Sequence, residues 1–322
     1  MNHEYQPLIT LGIPTYNRAG TTLPLTLQSA LAQTYENLQV IVCDNCSQDA
    51  TEAIVGGCDD DRVEYIRHTE NIGANDNFNA CVDHARGEYF LLLHDDDEID
   101  KDFVQVCVDA TRVAPGVGLV RTGIRMIDGG GNTILEWENR LQTTSFDGLI
   151  RGWILSDTTL FCANTLIRSD ALREIGGFRS RCDLFQDVLA HVRIAARYGY
   201  VNVREVKASF RDHDQNRGSA ARIDDWCKDS LQLRDTIYEL LPDNKTREEL
   251  VRDVTIFLCQ INYSYIINLK SPLQKLSLYR RINRYFDGAF PAGAYYRLYD
   301  LAPRVRKWKK GIKKFFENTS NL

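Results

Sequence analysis

Hydrophobic and polar positions alternate with two different periods through the first third of the chain. Four short apolar runs predict β-strands, at 8–13 (LITLGI), 38–43 (LQVIVC), 62–68 (RVEYIRH) and 88–94 (EYFLLLH). Apolar residues at three- and four-residue steps predict helices, over 21–34, 49–56, 74–86 and 101–114. Strands that alternate with helices at this spacing predict βαβ units. We therefore expect an α/β fold with a mostly parallel or mixed sheet that helices cover on both faces.

The pattern changes after residue 115. A DGGG turn between strand-like segments at 118–128 and 132–138 predicts a β-hairpin, whereas 151–172 mixes strand and helix signals and gives no assignment. Further along, the pattern predicts a helix at 183–199, a strand at 201–213, and helices at 223–241 and 247–269. The last part of the chain is therefore expected to be helical.

The composition is that of an ordinary globular protein, with 322 residues, 43% of them hydrophobic and 26% charged. No apolar run approaches the roughly 20 residues that a membrane-spanning helix needs. The N-terminus, MNHEYQPLIT, lacks the charged and apolar segments of a signal peptide. The nine cysteines are odd in number and scattered, which favours reduced thiols and a cytoplasmic location.

The net charge of −5 conceals one strongly basic segment. Residues 304–316 (RVRKWKKGIKKFF) carry seven Lys or Arg and no acid, which leaves 32 basic against 44 acidic residues elsewhere. So acidic a remainder excludes the broad basic surface that nucleic-acid binding requires. The segment aligns four apolar residues on one helical stripe, as is typical of a helix that lies on an anionic membrane. The alternative is a basic end whose aromatic residues pack on the body of the protein.

Polar clusters follow three of the predicted strands. They are Thr15, Asn17 and Arg18 after the first strand, Asp44 and Asn45 after the second, and Asp95 to Asp97 after the fourth. In a parallel sheet the carboxyl ends of the strands share one edge, where ligands bind. The sequence therefore predicts one shared site built from these clusters.

Three adjacent aspartates, Asp95 to Asp97, allow three interpretations. They could be solvated acids at the start of the following helix, ligands of a divalent cation, or a general-base pair. Adjacent carboxylates repel one another, and crowding raises the pKa of at least one of them. The apolar run FLLL directly before them favours a crevice over open water, so we expect a site for Mn²⁺ or Mg²⁺. His94 could join this site or support it through a hydrogen bond.

Three separated blocks of the chain resemble family 2 glycosyltransferases of the GT-A fold, in the order that this family has them. The first block is 12–51 (GIPTYNRAGTTLPLTLQSALAQTYENLQVIVCDNCSQDAT), and the second is 67–99 (RHTENIGANDNFNACVDHARGEYFLLLHDDDEI). The third is 176–199 (GGFRSRCDLFQDVLAHVRIAARYG), and FRDH at 210–213 resembles the family's Tyr/Phe-Arg-x-His. The resemblance covers roughly residues 8–215.

The resemblance implies a Rossmann-like GT-A fold and an inverting enzyme that moves a sugar from UDP, GDP or dTDP to an acceptor hydroxyl. It also implies a divalent metal, a glycan or lipid-linked acceptor, and a role in cell-surface polysaccharide or lipopolysaccharide synthesis. Residues 1–115 would form the nucleotide-sugar-binding half, 116–215 the acceptor-binding half, and 216–322 a helical C-terminal region. Such an enzyme would work in the cytoplasm, here with the basic tail as its contact with the inner face of the membrane.

The donor-binding positions of the family carry over residue by residue. This chain has Pro14, Thr15, Asn17 and Arg18 where the nucleotide packs, and Asp44, Asn45, Arg67, Asn71 and Gly73 near the base and ribose. Asp44 matches the acid that hydrogen-bonds the base. Asp95 and Asp97 match the Asp-x-Asp metal motif, but a run of three aspartates leaves the register open. Asp96 is thus an equal candidate for metal binding, and Asp95 and Asp96 are also expected to contact the donor.

Asp187 matches the catalytic base of the family. An attacking hydroxyl must lose its proton, and a carboxylate across the site from the metal can accept it. The family usually has Glu-Asp where this chain has Gln186-Asp187, so the missing acid is not the one assigned as base. The alternative for Asp187 is a helix N-terminal acid without a chemical role. A second departure is Asn45, where many relatives carry another acid.

Five further residues are candidates for contact with the acceptor or the diphosphate: Trp153, Asp157, Gln186, Arg211 and His213. Arg211 and His213 could instead form a salt bridge at the strand end, with Asp212 or Asp214.

Two rival functions stay open. A sugar nucleotidyltransferase would normally show a glycine-rich loop after the first strand, where this chain has GIPTYNRAG. A non-catalytic module that binds a nucleotide or a glycan is favoured by one feature, Gln186.

Overall fold

The structure, a computed structural model, describes residues 5–212, 221–266 and 271–289. The strands are β1 (Ile9–Thr15), β2 (Leu38–Asp44), β3 (Val63–Arg67), β4 (Tyr89–Leu92), β5 (Glu98–Ile99), β6 (Leu119–Ile127), β7 (Thr133–Trp137), β8 (Thr165–Arg168) and β9 (Tyr200–Arg211). The helices are α1 (Leu23–Leu31), α2 (Thr51–Gly56), α3 (Ala74–His84), α4 (Phe103–Val113), α5 (Phe146–Ile154), α6 (Ser169–Glu174), α7 (Gln186–Tyr198), α8 (Ile223–Leu240), α9 (Lys245–Ser264) and α10 (Pro272–Tyr285). Within the described residues the strands form one sheet in the order β3-β2-β1-β4-β8-β6-β9-β5, with β7 paired to β6.

Four parallel strands, β3, β2, β1 and β4, make up the first half of the sheet. Side chains of β2 alternate between two apolar cores, because Val40 and Val42 lie in one core and Ile41 and Cys43 in the other. Helices α1 and α4 contribute to the first core, and α3 and α7 to the second. Strands buried on both faces read as continuous apolar runs. The predicted α/β architecture with helices on both faces is therefore confirmed.

Gly12 allows α3 to pack closely on β1. A Cβ at this position would lie 2.7 Å from the ring of Phe90 and 2.8 Å from the Cβ of Cys81. Near the start of α3, the Asn77 side chain donates to the carbonyl oxygen of Cys43, at the end of β2 (2.9 Å). Helix α3 therefore begins at the edge of the sheet where the parallel strands end.

The second half of the sheet is partly antiparallel. Strand β8 pairs antiparallel with both β4 and β6, whereas β9 runs parallel to β6. The predicted hairpin is confirmed, since β7 pairs antiparallel with β6 across the DGGG turn. The unassigned segment 151–172 contains the end of α5, strand β8 and the start of α6. Its signals are mixed because three elements follow one another within one short stretch.

Helices α8 to α10 follow the sheet. One apolar core includes Cys81, Leu189 and Leu258, which belong to the three different parts of the chain that the sequence predicts. The division of the chain into these parts stays a prediction. None of the helices in the described ranges is long and apolar enough to cross a bilayer. His213 and the basic segment 304–316 lie outside the described residues.

Candidate active site

The carboxyl ends of β1, β2 and β3 align three of the predicted donor-binding residues. The strand register places Thr15 beside Asp44, and Asp44 beside Arg67. Thr15 and Asp44 are buried, as is Pro14, whereas the Arg67 side chain is 39% exposed. Three separate segments of the sequence thus meet at the edge where parallel sheets bind ligands.

The Asp44 carboxylate is fully buried and has three partners. Its Oδ1 accepts a hydrogen bond from the Ser47 amide (2.9 Å), its Oδ2 accepts one from the Tyr65 hydroxyl (2.6 Å), and Nε of Arg67 lies 3.5 Å from Oδ2. Burial, together with the Asp44 charge, raises the pKa of Tyr65, so the phenol remains a donor. Tyr65 and Arg67 stand at alternate positions of β3 and share one face. Tyr65 is not among the sequence-based candidates. Its position two residues before Arg67 on a predicted strand is the signal that could have identified it.

We expect Asp44→Ala to destabilise the fold as well as the site. The substitution leaves the buried Ser47 amide, the half-buried Tyr65 hydroxyl and the exposed Arg67 guanidinium without this acceptor, which should lower the free energy of unfolding by about 3 kcal/mol. Tyr65→Phe removes one hydrogen bond and keeps the ring, so it should cost about 1 kcal/mol. Urea unfolding at neutral pH measures both. If both variants lost the same small amount of stability, Asp44 would not be the residue that holds Ser47, Tyr65 and Arg67 in place.

Asn17 connects the loop after β1 to the loop after β2 through two hydrogen bonds. Its backbone is left-handed (φ 55°), a conformation that asparagine adopts more readily than most residues. Its amide donates to the Ser47 hydroxyl (2.9 Å), and its Oδ1 accepts from the Gln48 amide (2.7 Å). Asn17 is exposed and Arg18 half-buried. Both therefore reach solvent next to the buried strand ends.

Asn45 uses both halves of its amide group. Its Nδ2 donates to Oδ1 of Asn71 (3.0 Å), and its Oδ1 accepts from the Ile72 amide (2.8 Å). Asn71 also accepts from the amide of Gly73 (2.9 Å), the residue that precedes α3 at φ +87°. An aspartate at position 45 could accept but could not donate to Asn71. Closure of the 71–73 loop therefore explains why this chain has an amide here and not a second acid.

The chain turns after β4, and the three aspartates diverge. The Asp97 amide donates to the His94 carbonyl (3.0 Å), which closes the turn. Asp95 lies next to the end of β1, where its Oδ2 accepts from the Tyr16 amide (3.3 Å). Ligand atoms of His94, Asp96 and Asp97 lie within 4.8 Å of one another, and no other such group occurs among the described residues. Asp95 lies outside the group that could hold a cation.

Burial and mutual repulsion act on these acids. Burial raises the pKa of Asp95 to about 7, and the Asp96 charge adds to this shift. Burial, followed by the Asp96 charge, also raises the pKa of Asp97 well above its usual range. Carboxylates crowded in a low-dielectric corner are stabilised as anions by a nearby positive charge. The corner therefore favours a bound cation.

Arg211 is buried beneath this corner. Its amide donates to Oδ1 of Asp97 (3.1 Å), its Nε to the carbonyl of Asp96 (3.0 Å) and its Nη1 to the carbonyl of Asp128 (3.0 Å). The guanidinium also forms an ion pair with Glu98. These contacts hold the aspartate turn in place. Sequence reasoning does not name Glu98, because the two-residue strand that carries it has no detectable period.

Asp187 stands in the first turn of α7. Burial raises its pKa to about 6, and the Val188 amide, which donates to its Oδ1 (2.7 Å), offsets this only in part. Burial raises the pKa values of the Cys162 thiol and the Tyr265 hydroxyl, and the charge of Asp187 adds to both shifts. The charge of Asp97 also raises the pKa of Cys162. The charges of two acids that are far apart in the chain therefore both act on one buried thiol.

The acceptor-side candidates lie in different surroundings. Gln186 is buried, and its Oε1 has no hydrogen-bond partner among the described residues. Trp153 of α5 packs edge-on against Phe257 of α9, with ring centroids 4.9 Å apart. The amide of Asp157 donates to a carbonyl of α5 (2.8 Å) and closes the turn after that helix. Gln186 thus adjoins the candidate base, whereas the Trp153 ring contributes to the packing of α5 on α9.

Known proteins are similar to this chain in sequence. The profile of the family described as Glycosyl transferase family 2 matches residues 10–176. The succinoglycan biosynthesis protein ExoO of Rhizobium meliloti is 34% identical over 108 residues, which are 34% of this chain and 31% of that protein. The UDP-Glc:alpha-D-GlcNAc-diphosphoundecaprenol beta-1,3-glucosyltransferase WfaP of Escherichia coli is 36% identical over 90 residues, 28% of this chain and 36% of that protein. The matched segments span about a third of each of these two curated relatives.

Solved structures share the fold at low sequence identity. The complex of S. aureus TarS 1-349 with UDP-GlcNAc superposes with a TM-score of 0.70 at 17% identity and covers 88% of this chain and 81% of that one. The Pyrobaculum calidifontis mannosyltransferase in complex with GDP-Man and Mn²⁺ superposes with a TM-score of 0.57 at 17% identity, covering 97% and 86%. This likeness confirms the GT-A fold that the sequence resemblance implied. Since the family profile matches more than half of the chain, residues 10–176 of 322, the chain belongs to glycosyl transferase family 2.

Proposed function

We propose that this protein transfers a sugar from a nucleoside-diphosphate sugar to an acceptor hydroxyl, with inversion, in the synthesis of a cell-surface polysaccharide. The observation that carries the proposal is that the charges of Asp97 and Asp187, acids far apart in the chain, both raise the pKa of the buried Cys162 thiol. One of these acids belongs to a group that could hold a cation, and the other has a pKa of about 6. Membership of the family and the transfer reaction in the name of WfaP support the same reaction class.

The donor nucleotide is proposed to bind at the carboxyl ends of β1 to β3. Asp44, Tyr65 and Arg67 form a hydrogen-bonded set there, and the loops at 15–18 and 71–73 lie beside it. Of these residues Arg67 is exposed and Tyr65 half-buried, so a nucleotide can reach them, and the buried Asp44 carboxylate already holds both in place. Side chains that are fixed before binding lower the cost of binding. TarS was solved with UDP-GlcNAc and the mannosyltransferase with GDP-Man. The donor is thus expected among UDP-, GDP- and dTDP-sugars.

His94, Asp96 and Asp97 would hold a divalent cation, Mn²⁺ or Mg²⁺. The donor atoms fit such an ion, because they lie within 4.8 Å of one another and include two carboxylate oxygens from an acid-rich corner. When bound, the ion would act as a Lewis acid that neutralises the charge of the leaving diphosphate. Mg²⁺ prefers oxygen ligands. The His94 nitrogen therefore favours Mn²⁺, the ion in the P. calidifontis complex.

Asp187 is the proposed general base. A carboxylate with a pKa of about 6 is ionised at neutral pH and is more basic than an exposed aspartate, so it can take the proton of a hydroxyl as that oxygen attacks. The bond between the anomeric carbon and the diphosphate oxygen breaks while the acceptor oxygen bonds to the same carbon from the opposite side. The proton moves to Asp187, and the diphosphate leaves with the bonding electron pair. Attack from the opposite side gives inversion.

Sugar transfer is expected to decline below about pH 6. Above this pH Asp187 is ionised and can accept a proton, whereas below it the carboxyl group is protonated. The value of kcat/KM, measured with saturating Mn²⁺, should therefore drop about tenfold per pH unit on the acidic side. Nucleotide affinity over the same pH range is the control and should change little, provided that Mn²⁺ is saturating and keeps the Asp97 carboxylate ionised. A flat profile of kcat/KM would rule out Asp187 as the base.

The acceptor is proposed to be a lipid-linked glycan, which would place the protein at the inner face of the membrane. The name of WfaP specifies a sugar on diphosphoundecaprenol. In the sequence, the basic segment 304–316 combines seven Lys or Arg with apolar residues, a composition that suits an anionic lipid surface.

A donor and acceptor screen tests the proposed function. UDP-, GDP- and dTDP-sugars are each incubated with Mn²⁺ and either a free oligosaccharide or the same oligosaccharide on a polyprenyl diphosphate, and products are identified by mass spectrometry. We expect one donor to be consumed with transfer to the lipid-linked acceptor. Calorimetric binding of a nucleoside diphosphate and Mn²⁺ without turnover of any donor would favour a non-catalytic binding module instead.

A further inference from the structure

The loop that leads into α7 donates hydrogen bonds to one buried carboxylate, that of Asp229 in α8. Asp229 is fully buried, and its two oxygens accept four hydrogen bonds from this loop. The donors are the Ser180 hydroxyl (2.7 Å) and the amides of Cys182 (2.7 Å), Leu184 (2.9 Å) and Phe185 (3.1 Å). Hydrogen bonds to an ionised acceptor are about twice as strong as those between neutral groups. The carboxylate therefore holds the loop firmly.

Two neighbouring residues of α8 hold the same loop. Gln232 accepts a hydrogen bond from the amide of Arg181 (2.7 Å). The rings of Trp226 and Phe185 pack edge-on, with centroids 5.3 Å apart. Residues three positions apart lie on the same side of a helix. One side of α8, formed by residues 226, 229 and 232, therefore contacts the loop along its length.

This attachment sets the position of Asp187. Phe185 is the N-cap residue of α7 and precedes Asp187 by two positions. Within the loop, Asp183 has a left-handed backbone (φ 56°), which is uncommon for a residue other than glycine. The hydrogen bonds on either side hold this conformation. A change at Asp229 would therefore loosen the turn that carries the proposed base.

We propose that Asp229 is a positioning residue for sugar transfer, because it fixes the Asp187 carboxylate through the loop at 180–185. This inference rests on the proposed function of Asp187 as the base. It gives the C-terminal helical region a role in the reaction, since α8 lies beyond residues 10–176, which the family profile matches. Asp229 acts through the loop and not on the substrate.

Asp229→Asn tests the proposal, because it keeps the side-chain volume and replaces one acceptor oxygen with an NH₂ donor. Displacing a reacting group by about 1 Å costs about 100-fold in rate, so we expect kcat to fall to that extent. The Kd of the nucleoside diphosphate, measured with Mn²⁺, should change by less than about twofold. Asp235→Asn is the matched control, because Asp235 lies on the same helix with its side chain 59% exposed and pairs with Arg234. Each kcat is divided by the number of nucleotide-binding sites found in the titration, so that unfolded protein does not lower it.

The pH profile separates positioning from a loss of folded protein. Burial holds the pKa of Asp187 at about 6, so a loosened loop that admits water should move the acidic limb of kcat/KM to lower pH. The titratable groups on which the Asp187 charge acts, the Cys162 thiol and the Tyr265 hydroxyl, stay protonated through this range because their pKa values are raised. A purely structural role would lower the melting temperature but leave the acidic limb and kcat per site unchanged.

An unmoved acidic limb and a wild-type kcat per site in Asp229→Asn would overturn the proposal. If that variant does not fold, Ser180→Ala replaces it, since this change removes one of the four hydrogen bonds and keeps the carboxylate. We expect it to lower kcat about threefold and to shift the limb in the same direction, and no change in either would also overturn the proposal. Asp187→Asn is measured alongside. Activity in that variant would refute the base assignment itself, independently of Asp229.

Discussion

Asp187→Asn is expected to lower kcat for sugar transfer by about a thousandfold while leaving nucleotide affinity nearly unchanged. Asparagine keeps the shape of the side chain but cannot accept a proton, and general bases contribute about 10²- to 10⁴-fold to rates. The nucleotide is proposed to bind at the ends of β1 to β3, whereas Asp187 lies on α7. Transfer kinetics with the donor found in the screen measure the first effect. Calorimetric titration with the nucleoside diphosphate and Mn²⁺ measures the second.

The same substitution should not weaken the fold. The pKa of Asp187 in the folded chain is about 6, above the value of about 3.9 for an aspartate in an unfolded chain. The folded state therefore binds the proton more tightly, and the free energy of unfolding decreases as pH rises through this window. At neutral pH the ionised carboxylate opposes folding. Asparagine removes that charge, so we expect Tm to stay equal or to rise.

Asp170→Asn is the matched control for Asp187→Asn. Asp170 also stands in the first turn of a helix, α6, and its side chain is 75% exposed. If Asp187 were only a helix N-terminal acid, each variant would lose about 0.5 kcal/mol of stability and none of its activity. A parallel loss of transfer and of nucleotide affinity in Asp187→Asn would instead speak against a base that acts only on the acceptor.

Asp96→Asn should weaken metal-dependent binding of the nucleoside diphosphate by about 100-fold or more. Asp96 contributes one of the three ligand atoms that could hold the cation, together with His94 and Asp97. Changes to residues that merely support metal ligands already cost about 10- to 100-fold in metal affinity, so loss of a ligand should cost at least as much. The measurement is calorimetry with the nucleotide at increasing Mn²⁺, followed by transfer kinetics under the same conditions.

Two comparisons make this result specific to the corner after β4. The chain has a second run of three aspartates, Asp59 to Asp61, whose end residues are exposed and which forms no cluster of metal ligands among the described residues. Asp61→Asn should therefore leave Mn²⁺ binding unchanged. Asp95→Asn should retain the metal, because Asp95 lies outside the group. Loss of the metal in Asp95→Asn but not in Asp96→Asn would assign the Asp-x-Asp register to Asp95 and Asp97.

Much of the sheet follows from local patterns. The elements β1 to β4 were predicted because each buried apolar run, and each helix between them, repeats its period within a few residues. Strand β5 was not predicted. It exists because Glu98 and Ile99 pair with Ser209 and Ala208, residues that lie far along the chain. The same pairing places Glu98 next to the guanidinium of Arg211, a contact that no neighbouring residue in the sequence indicates.

The sequence by itself determined the alternation of strands and helices, the polar residues that follow the strands, and the resemblance to the family. These features depend on residues that are neighbours in the chain. The tertiary structure alone decided which groups surround each acid. Strand register sets Asp44 beside Arg67, the turn after β4 separates Asp95 from Asp96, and α8 brings Asp229 to the loop before Asp187. Each of these contacts joins distant segments, and its free energy comes from packing and hydrogen bonding that no local pattern contains.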